Sequence, residues 1–201
     1  MAGRITAINI ATLKNIPQPC RSCSYWESFL DTARTPSGGQ GLRDKWFIST
    51  MRSWGECGKL IYVGDEAVAY AQYAPPCYFP KIKNYAAAPL SEDAIFLSCL
   101  YVLPPHRDKG HGKAILREIV KRLSKSGYRA IETFGNKTLE NRPSAPFGFY
   151  MRNGFYIVRD DEKFPLMRLD LKSVLFWQDG LDAVLESIKL PLLNKETPVP
   201  Y

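Results

Sequence analysis

The chain has 201 residues, 45% of them apolar, and a formal charge of +7. That length builds one ordinary core, no apolar run is long enough to cross a bilayer, and the N-terminal stretch lacks the apolar segment and cleavage site of a secretory signal. A cytoplasmic location is expected, with the five cysteines as thiols or metal ligands rather than a disulfide framework.

Arg4 to Leu13, RITAINIATL, alternates as a strand. Asn15 to Cys23 is a proline-punctuated loop, Tyr25 to Ala33 reads as a short helix, and Thr35 to Gly41 has the composition of a flexible connection. Leu42 to Trp54 is an amphipathic helix with Trp46, Phe47, Met51 and Trp54 near one face, closed by Gly55 and Gly58. Leu60 to Val63 and Ala67 to Tyr73 form a hairpin that turns at Gly64-Asp65-Glu66. The long connection Ala74 to Leu90 is of a length that is functional or pinned. Its aromatics, with Tyr73, either line a partly apolar pocket or pack the loop onto the sheet.

Ala94 to Leu103, AIFLSCLYVL, is almost unbroken in its apolarity, the pattern of a central strand covered on both faces. From Gly110 a helix follows, with Ile115, Leu116, Ile119, Val120 and Leu123 at helical spacing and Gly127 as its stop. Tyr128 to Phe134 is a strand, Phe147 to Asn153 a short helix ended by Gly154, and Phe155 to Val158 and Leu166 to Leu171 are strands. Gln178 to Lys189 reads as a terminal helix. The fold class is α+β, helices interleaved with a mostly antiparallel sheet.

The junction between the apolar strand and the helix, LPPHRDKGHGKA, concentrates chemistry. Eight Lys/Arg stand against two acids between Pro104 and Ala130, so the excess charge lies here and on the helix that follows. A Walker A loop is excluded, because Arg107 stands where its first glycine must be and Ala114 replaces its Ser/Thr. A dinucleotide fingerprint is excluded by Ile115 at its third glycine. What remains is a diphosphate seat: Gly110 and Gly112 let backbone approach a ligand, the first-turn N–H groups and helix dipole face the anion, and Arg107, Lys109 and Lys113 add charge. The competing reading is a plain strand–helix turn with glycines for geometry and lysines for solubility. His106 and His111 have no partner in the sequence and are expected to face solvent.

The pattern Val102-x-Pro104-x-x-Arg107-x-x-Gly110-x-Gly112, with Tyr150-x-x-x-Gly154-Phe155 after the next strand, resembles the GNAT acetyltransferases over roughly Leu60 to Leu171. The resemblance implies an N-acetyltransferase core over residues 41–172. Residues 1–40, a strand and a Cys-containing loop, would pack into the same domain, and 173–201 would add a helix and tail. It further implies a central strand splayed from its neighbour at the cofactor site. Acetyl-CoA would be the co-substrate, held by Leu100, Tyr101 and Val102 and by Arg107, Asp108, Lys109, Gly110, His111, Gly112 and Lys113. A primary amine, on a small molecule or a peptide, would attack the thioester directly, with no metal. Tyr150 corresponds to the family's acid, although core packing beside Phe147 and Phe149 competes with that role. Phe96 stands where some members carry a basic Glu, leaving Glu132, or Glu92 and Asp93 through water, as the base. The family's Asn position is Pro143 here, so Asn141 is the substitute from that loop.

Cys20-Arg-Ser-Cys23 is half of a zinc site that Cys57 and Cys77 would have to complete, or a redox pair, or two loop thiols packed beside Tyr25 and Trp26. The stripe Arg117, Lys121, Arg122, Lys125 suggests either a solvated helix face or a nucleic-acid-binding module, and no aromatic-studded basic strand supports the latter. An acyl-CoA-binding regulator without turnover is the other alternative. No membrane partner is expected, and homodimerisation is left open.

Overall fold

The computed structural model describes residues 3–28, 39–138 and 144–172. Seven strands form one sheet in the order β1-β2-β3-β4-β5-β7-β6. They are β1 (Arg4–Ala7), β2 (Gly58–Val63), β3 (Glu66–Ala74), β4 (Ala94–Val102), β5 (Ala130–Phe134), β6 (Tyr156–Arg159) and β7 (Leu166–Asp170). Neighbours are antiparallel except β4 and β5, which run parallel. The helices are α1 (Gly39–Ser53), α2 (His111–Leu123) and α3 (Phe147–Arg152).

The first strand is shorter than its alternation predicts. After Ala7 the side chains of Asn9 and Thr12 bond each other's backbone N–H groups at 3.0 and 2.8 Å. Such local bonds compete with a ladder and fold the chain into a turn. Tyr25 to Glu27 is likewise a turn where a helix was expected; residues 29–33 of that expected helix, and the whole of Gln178 to Lys189, lie outside the described residues.

Two layers cover the sheet. On one face, the apolar stripe of α2 packs with Tyr150 and Phe155 on Ile95, Leu97, Ile131 and Met167. On the other lie α1, the N-terminal segment and the connection between β3 and β4. The connection forms two short 3-10 turns, Pro76–Tyr78 and Pro80–Asn84. Phe79 and Tyr85 are buried in this second layer, so these two aromatics pin the long loop to the sheet. At its centre sits Trp26, fully buried, stacked on Tyr85 (5.2 Å between centroids) and edge-on to Phe96 (4.9 Å).

The pairing of β4 with β5 spans only Ala94, Ile95 and Phe96. Beyond them the Thr133 hydroxyl donates to the Leu97 carbonyl at 2.8 Å, occupying an acceptor that a further strand pair would use. One residue later the register of β4 against β3 slips between Gln72 and Tyr73, leaving Ser98 as an extra residue. Its hydroxyl donates to the Gln72 carbonyl at 3.1 Å. A bulge bends and twists its strand, and here it carries β4 away from β5.

Trp26→Ala removes the largest buried side chain of the second layer and should destabilise the fold by about 3–5 kcal/mol. Urea denaturation measures this, and a loss below about 1 kcal/mol would contradict the packing described.

Candidate functional site

Past Phe96, β4 has a strand on one edge only. The N–H of Leu103 donates to Val68 of β3 at 2.9 Å. By the alternation of strand backbone, the N–H groups of Leu100 and Val102 point the other way, into the gap left by β5. The Val102 carbonyl on that side accepts from Arg107 Nε at 3.2 Å, which folds Arg107 back along the strand end.

The chain then turns through Pro104–His106 and enters α2. Gly110 takes φ +81°, a left-handed conformation with open space where a Cβ would be, so backbone geometry selects glycine there. Gly112 is glycine for another reason. A Cβ on it would lie 3.0 Å from the Phe149 ring and 3.5 Å from Leu100, so its absence lets α3 close onto the start of α2. The first helical bond runs from Ala114 to the Gly110 carbonyl at 2.9 Å. No side chain caps the N-terminus, and no acid stands in the first turn. The N–H groups of His111, Gly112 and Lys113 therefore have no partner within the helix and present a positive dipole end.

These features bound a cleft of about 870 Å³. Leu100, Tyr101, Val102, Arg107, Asp108, Gly110, His111, Gly112 and Lys113 all line it. Lys109 does not: its ammonium folds back to the Pro105 carbonyl at 2.8 Å. Asn141 lies outside the described residues. The two histidines are not the solvent-facing pair expected. Both are half-buried and line the cleft, with ring centroids 6.1 Å apart. Burial, then the charges of His106 and Lys109, hold the His111 pKa below its ordinary value.

Tyr150 is fully buried behind the cleft wall, and its hydroxyl lies 3.4 Å from Thr133 Oγ1, whose own proton goes to the Leu97 carbonyl, at the fork between β4 and β5. Burial pushes its pKa up to about 12. Glu132 is placed elsewhere. It lies on the opposite face of β5, at the paired end, and its side chain is wholly buried. Its oxygens accept from Ser91 N (2.8 Å), Ser91 Oγ (2.7 Å) and Arg168 Nη1 (3.1 Å). With these bonds made and no exposure to the cleft, Glu132 is a structural carboxylate. Asp93 binds the same Arg168 at 2.9 and 3.0 Å, which holds its carboxyl below the usual range. Neither Glu92 nor Asp93 lines the cleft, and among the described residues Asp108 is its one lining carboxylate.

The far end of the cleft belongs to residues not assigned to a site from the sequence. Pro19, Ser22, Tyr25 and Arg43 meet there with Cys20, Cys23 and Cys99. Burial raises the Cys20 pKa to about 12 and that of Cys99 well above its ordinary value, so both are neutral thiols. Cys57 is buried and Cys77 exposed elsewhere, and among the described residues no three metal-binding side chains converge. Arg117, Lys121 and Arg122 occupy the solvent side of α2, and Lys125, just past its end, is exposed as well. Among the described residues no helix is long and apolar enough to cross a membrane.

Residues 59–157 match the acetyltransferase (GNAT) domain family. No curated protein matches the chain significantly. The fold is similar to that of PaiA N-acetyltransferase from Thermoplasma acidophilum, solved in complex with coenzyme A, at 17% identity and a TM-score of 0.58 over 85% of this chain and 99% of that one. An N-acetyltransferase from Staphylococcus aureus Mu50 gives 16%, 0.59, 85% and 99%. YncA from Salmonella typhimurium, solved with its cofactor acetyl-CoA, gives 14%, 0.58, 85% and 95%.

Glu132→Gln should cost about 1–3 kcal/mol of stability, because the amide offers one acceptor oxygen to the three donors of Ser91 and Arg168 and sets its own N–H groups against one of them. Ligand affinity at the cleft should stay unchanged, as thermal denaturation and calorimetric titration of one variant would show.

Proposed function

Residues 59–157 carry a GNAT acetyltransferase domain, and from that premise we propose that the chain moves the acetyl group of acetyl-CoA to a primary amine by direct attack. The observation that carries this reading is the uncapped N-terminus of α2 opening beside the unpaired edge of β4. The amides of His111 to Lys113, with Arg107 and the Lys113 side chain, suit a diphosphate. The free N–H groups of Leu100 and Val102 suit the amide-rich arm that follows it, which would run along β4 as an added strand. Those donors fit acetyl-CoA as co-substrate, and the thioester supplies an activated acyl carbonyl.

In this mechanism the amine lone pair forms the new C–N bond and the C–S bond breaks. An N–H of the β4 edge stabilises the oxyanion that appears only in the transition state. The Tyr150 hydroxyl, kept protonated by burial, gives its proton to the departing sulfur. Because Tyr150 does not line the cleft, this step requires the wall at Ser144 and Ala145 to yield as the thioester enters. The amine proton leaves to water, since among the described residues no carboxylate stands at the acceptor end of the cleft. That same lack favours the second reading, a regulator that binds acyl-CoA without turnover, and release of free thiol in the presence of amines separates the two.

Gly112→Asp should weaken CoA binding by about tenfold or more relative to Gly112→Ala, because both disturb Phe149 and only one sets a carboxylate against the diphosphate. Equal affinities by calorimetry would overturn the seat. Tyr150→Phe should lower kcat about 10²-fold with little change in the KM for acetyl-CoA. An acid must be protonated to act, and a pKa of about 12 keeps Tyr150 so throughout the accessible range. The rate should therefore rise with pH as the amine deprotonates, with no fall below about pH 11.

A further inference from the structure

Arg43 is fully buried, yet it lines the end of the cleft remote from α2. Its Nε donates to the Cys23 carbonyl and its Nη1 to the Tyr70 hydroxyl at 2.6 Å. Among the described residues Nη2 has no hydrogen-bond partner, and neither has Glu27 Oε2 beside it. The nearby carboxylate of Glu27 does not supply one: its Oε1 lies 3.6 Å from Nη2 and is held instead by Gln72 Nε2 at 2.6 Å. The Tyr70 hydroxyl donates on to Gln72 Oε1 at 3.0 Å, so the guanidinium is braced from behind. Burial of a guanidinium with a donor left unmade is costly, and a ligand that accepts from it recovers that cost.

The rest of this end is uncharged. Cys20 and Cys99 are neutral thiols, and Pro19, Ser22 and Tyr25 complete the wall. The other cations of the cleft, Arg107 and Lys113 among them, stand at the α2 end, where the diphosphate seat uses them. A polycationic acceptor would meet, among the described residues, no lining acid at this end, only the Arg43 guanidinium with Glu27 behind it.

Resting on the acetyl-transfer reading, we propose that the acceptor is a small amine that also carries a carboxylate, and that Arg43 Nη2 binds that carboxylate. A carboxylate has the free acceptor lone pairs that an unsatisfied guanidinium N–H recognises, and Arg43, though buried, borders the cleft where such a group enters. Arg43 thereby selects acidic amines, amino acids and their close relatives, over polyamines and aminoglycosides.

The experiment follows thiol release from acetyl-CoA with amino acids, their methyl esters, polyamines, aminoglycosides and short peptides. With the wild-type protein, the acid form of the best acceptor should exceed its ester in kcat/KM by about tenfold or more. The chemistry of the amine runs the other way, because esterification lowers its pKa and leaves more of it neutral, so a preference for the acid reports recognition. Arg43→Met should bring the acid-to-ester ratio near one, with acetyl-CoA affinity unchanged by calorimetry. Should that variant fail to fold, the wild-type comparison decides alone. Equal turnover of acid and ester, or turnover confined to carboxylate-free amines or peptides, overturns the proposal. Tight acetyl-CoA binding with no thiol release from any amine overturns the acetyl-transfer reading, and the acceptor assignment with it.

Discussion

Everything functional in this fold depends on two parallel strands that pair for three residues and then part. A central strand inside a sheet normally spends its backbone donors on both neighbours. Here β4 keeps β3 along its length and loses β5 after Phe96. Two small hydroxyls make the parting affordable in hydrogen-bond terms: Thr133 takes the Leu97 carbonyl, and Ser98 takes that of Gln72 across the bulge. The donors beyond are then free for a ligand, which no fully paired strand offers.

The closed end of the fork is held as firmly as the open end is free. Arg168 on β7 reaches Asp93 just before β4 and Glu132 on β5, while Glu132 also binds both polar groups of Ser91. One buried carboxylate thus ties the lead-in to β4 to its parallel partner. On the same face Trp26 and Tyr85 stack over Phe134 of β5, and Trp26 packs edge-on against Phe96 of β4. The strands cannot zip further without displacing Thr133, and this packing opposes their separating further.

How much of this was legible in the sequence follows the kind of signal each residue carries. Apolar spacing located α2, and two glycines with an arginine three residues before the first marked its uncapped N-terminal turn, because backbone geometry constrains residue type there. Glu132 illustrates the opposite case. Alternation in a strand tells which face a side chain takes, and nothing about an Arg168 thirty-six residues away that claims it. Lys109 looked equivalent to Lys113 by charge, but its own turn offered the Pro105 carbonyl first. Arg43 left a faint trace: it falls four residues before Phe47 and seven before Thr50, both fully buried, so a charge sits on the inward stripe of α1. A polar residue at such a position needs partners, and those partners, Tyr70, Gln72 and Glu27, come from distant parts of the chain.

Among the described residues, three groups of cations behind the charge of +7 differ in their surroundings. The stripe on α2 is solvated and faces away from the sheet, so it bears on solubility rather than on the cleft. Arg107 and Lys113 gather where a helix N-terminus already favours anions, and their charge adds to a dipole aimed at the same point. Arg43 differs from both, because it is removed from water and screened by little except Glu27. In such surroundings a single unmade donor discriminates more sharply than several exposed lysines could, since a ligand lacking the matching acceptor leaves it buried and unpaired. Selectivity at one end of the cleft and affinity at the other thus come from the same charge sign, separated by how much water each cation sees.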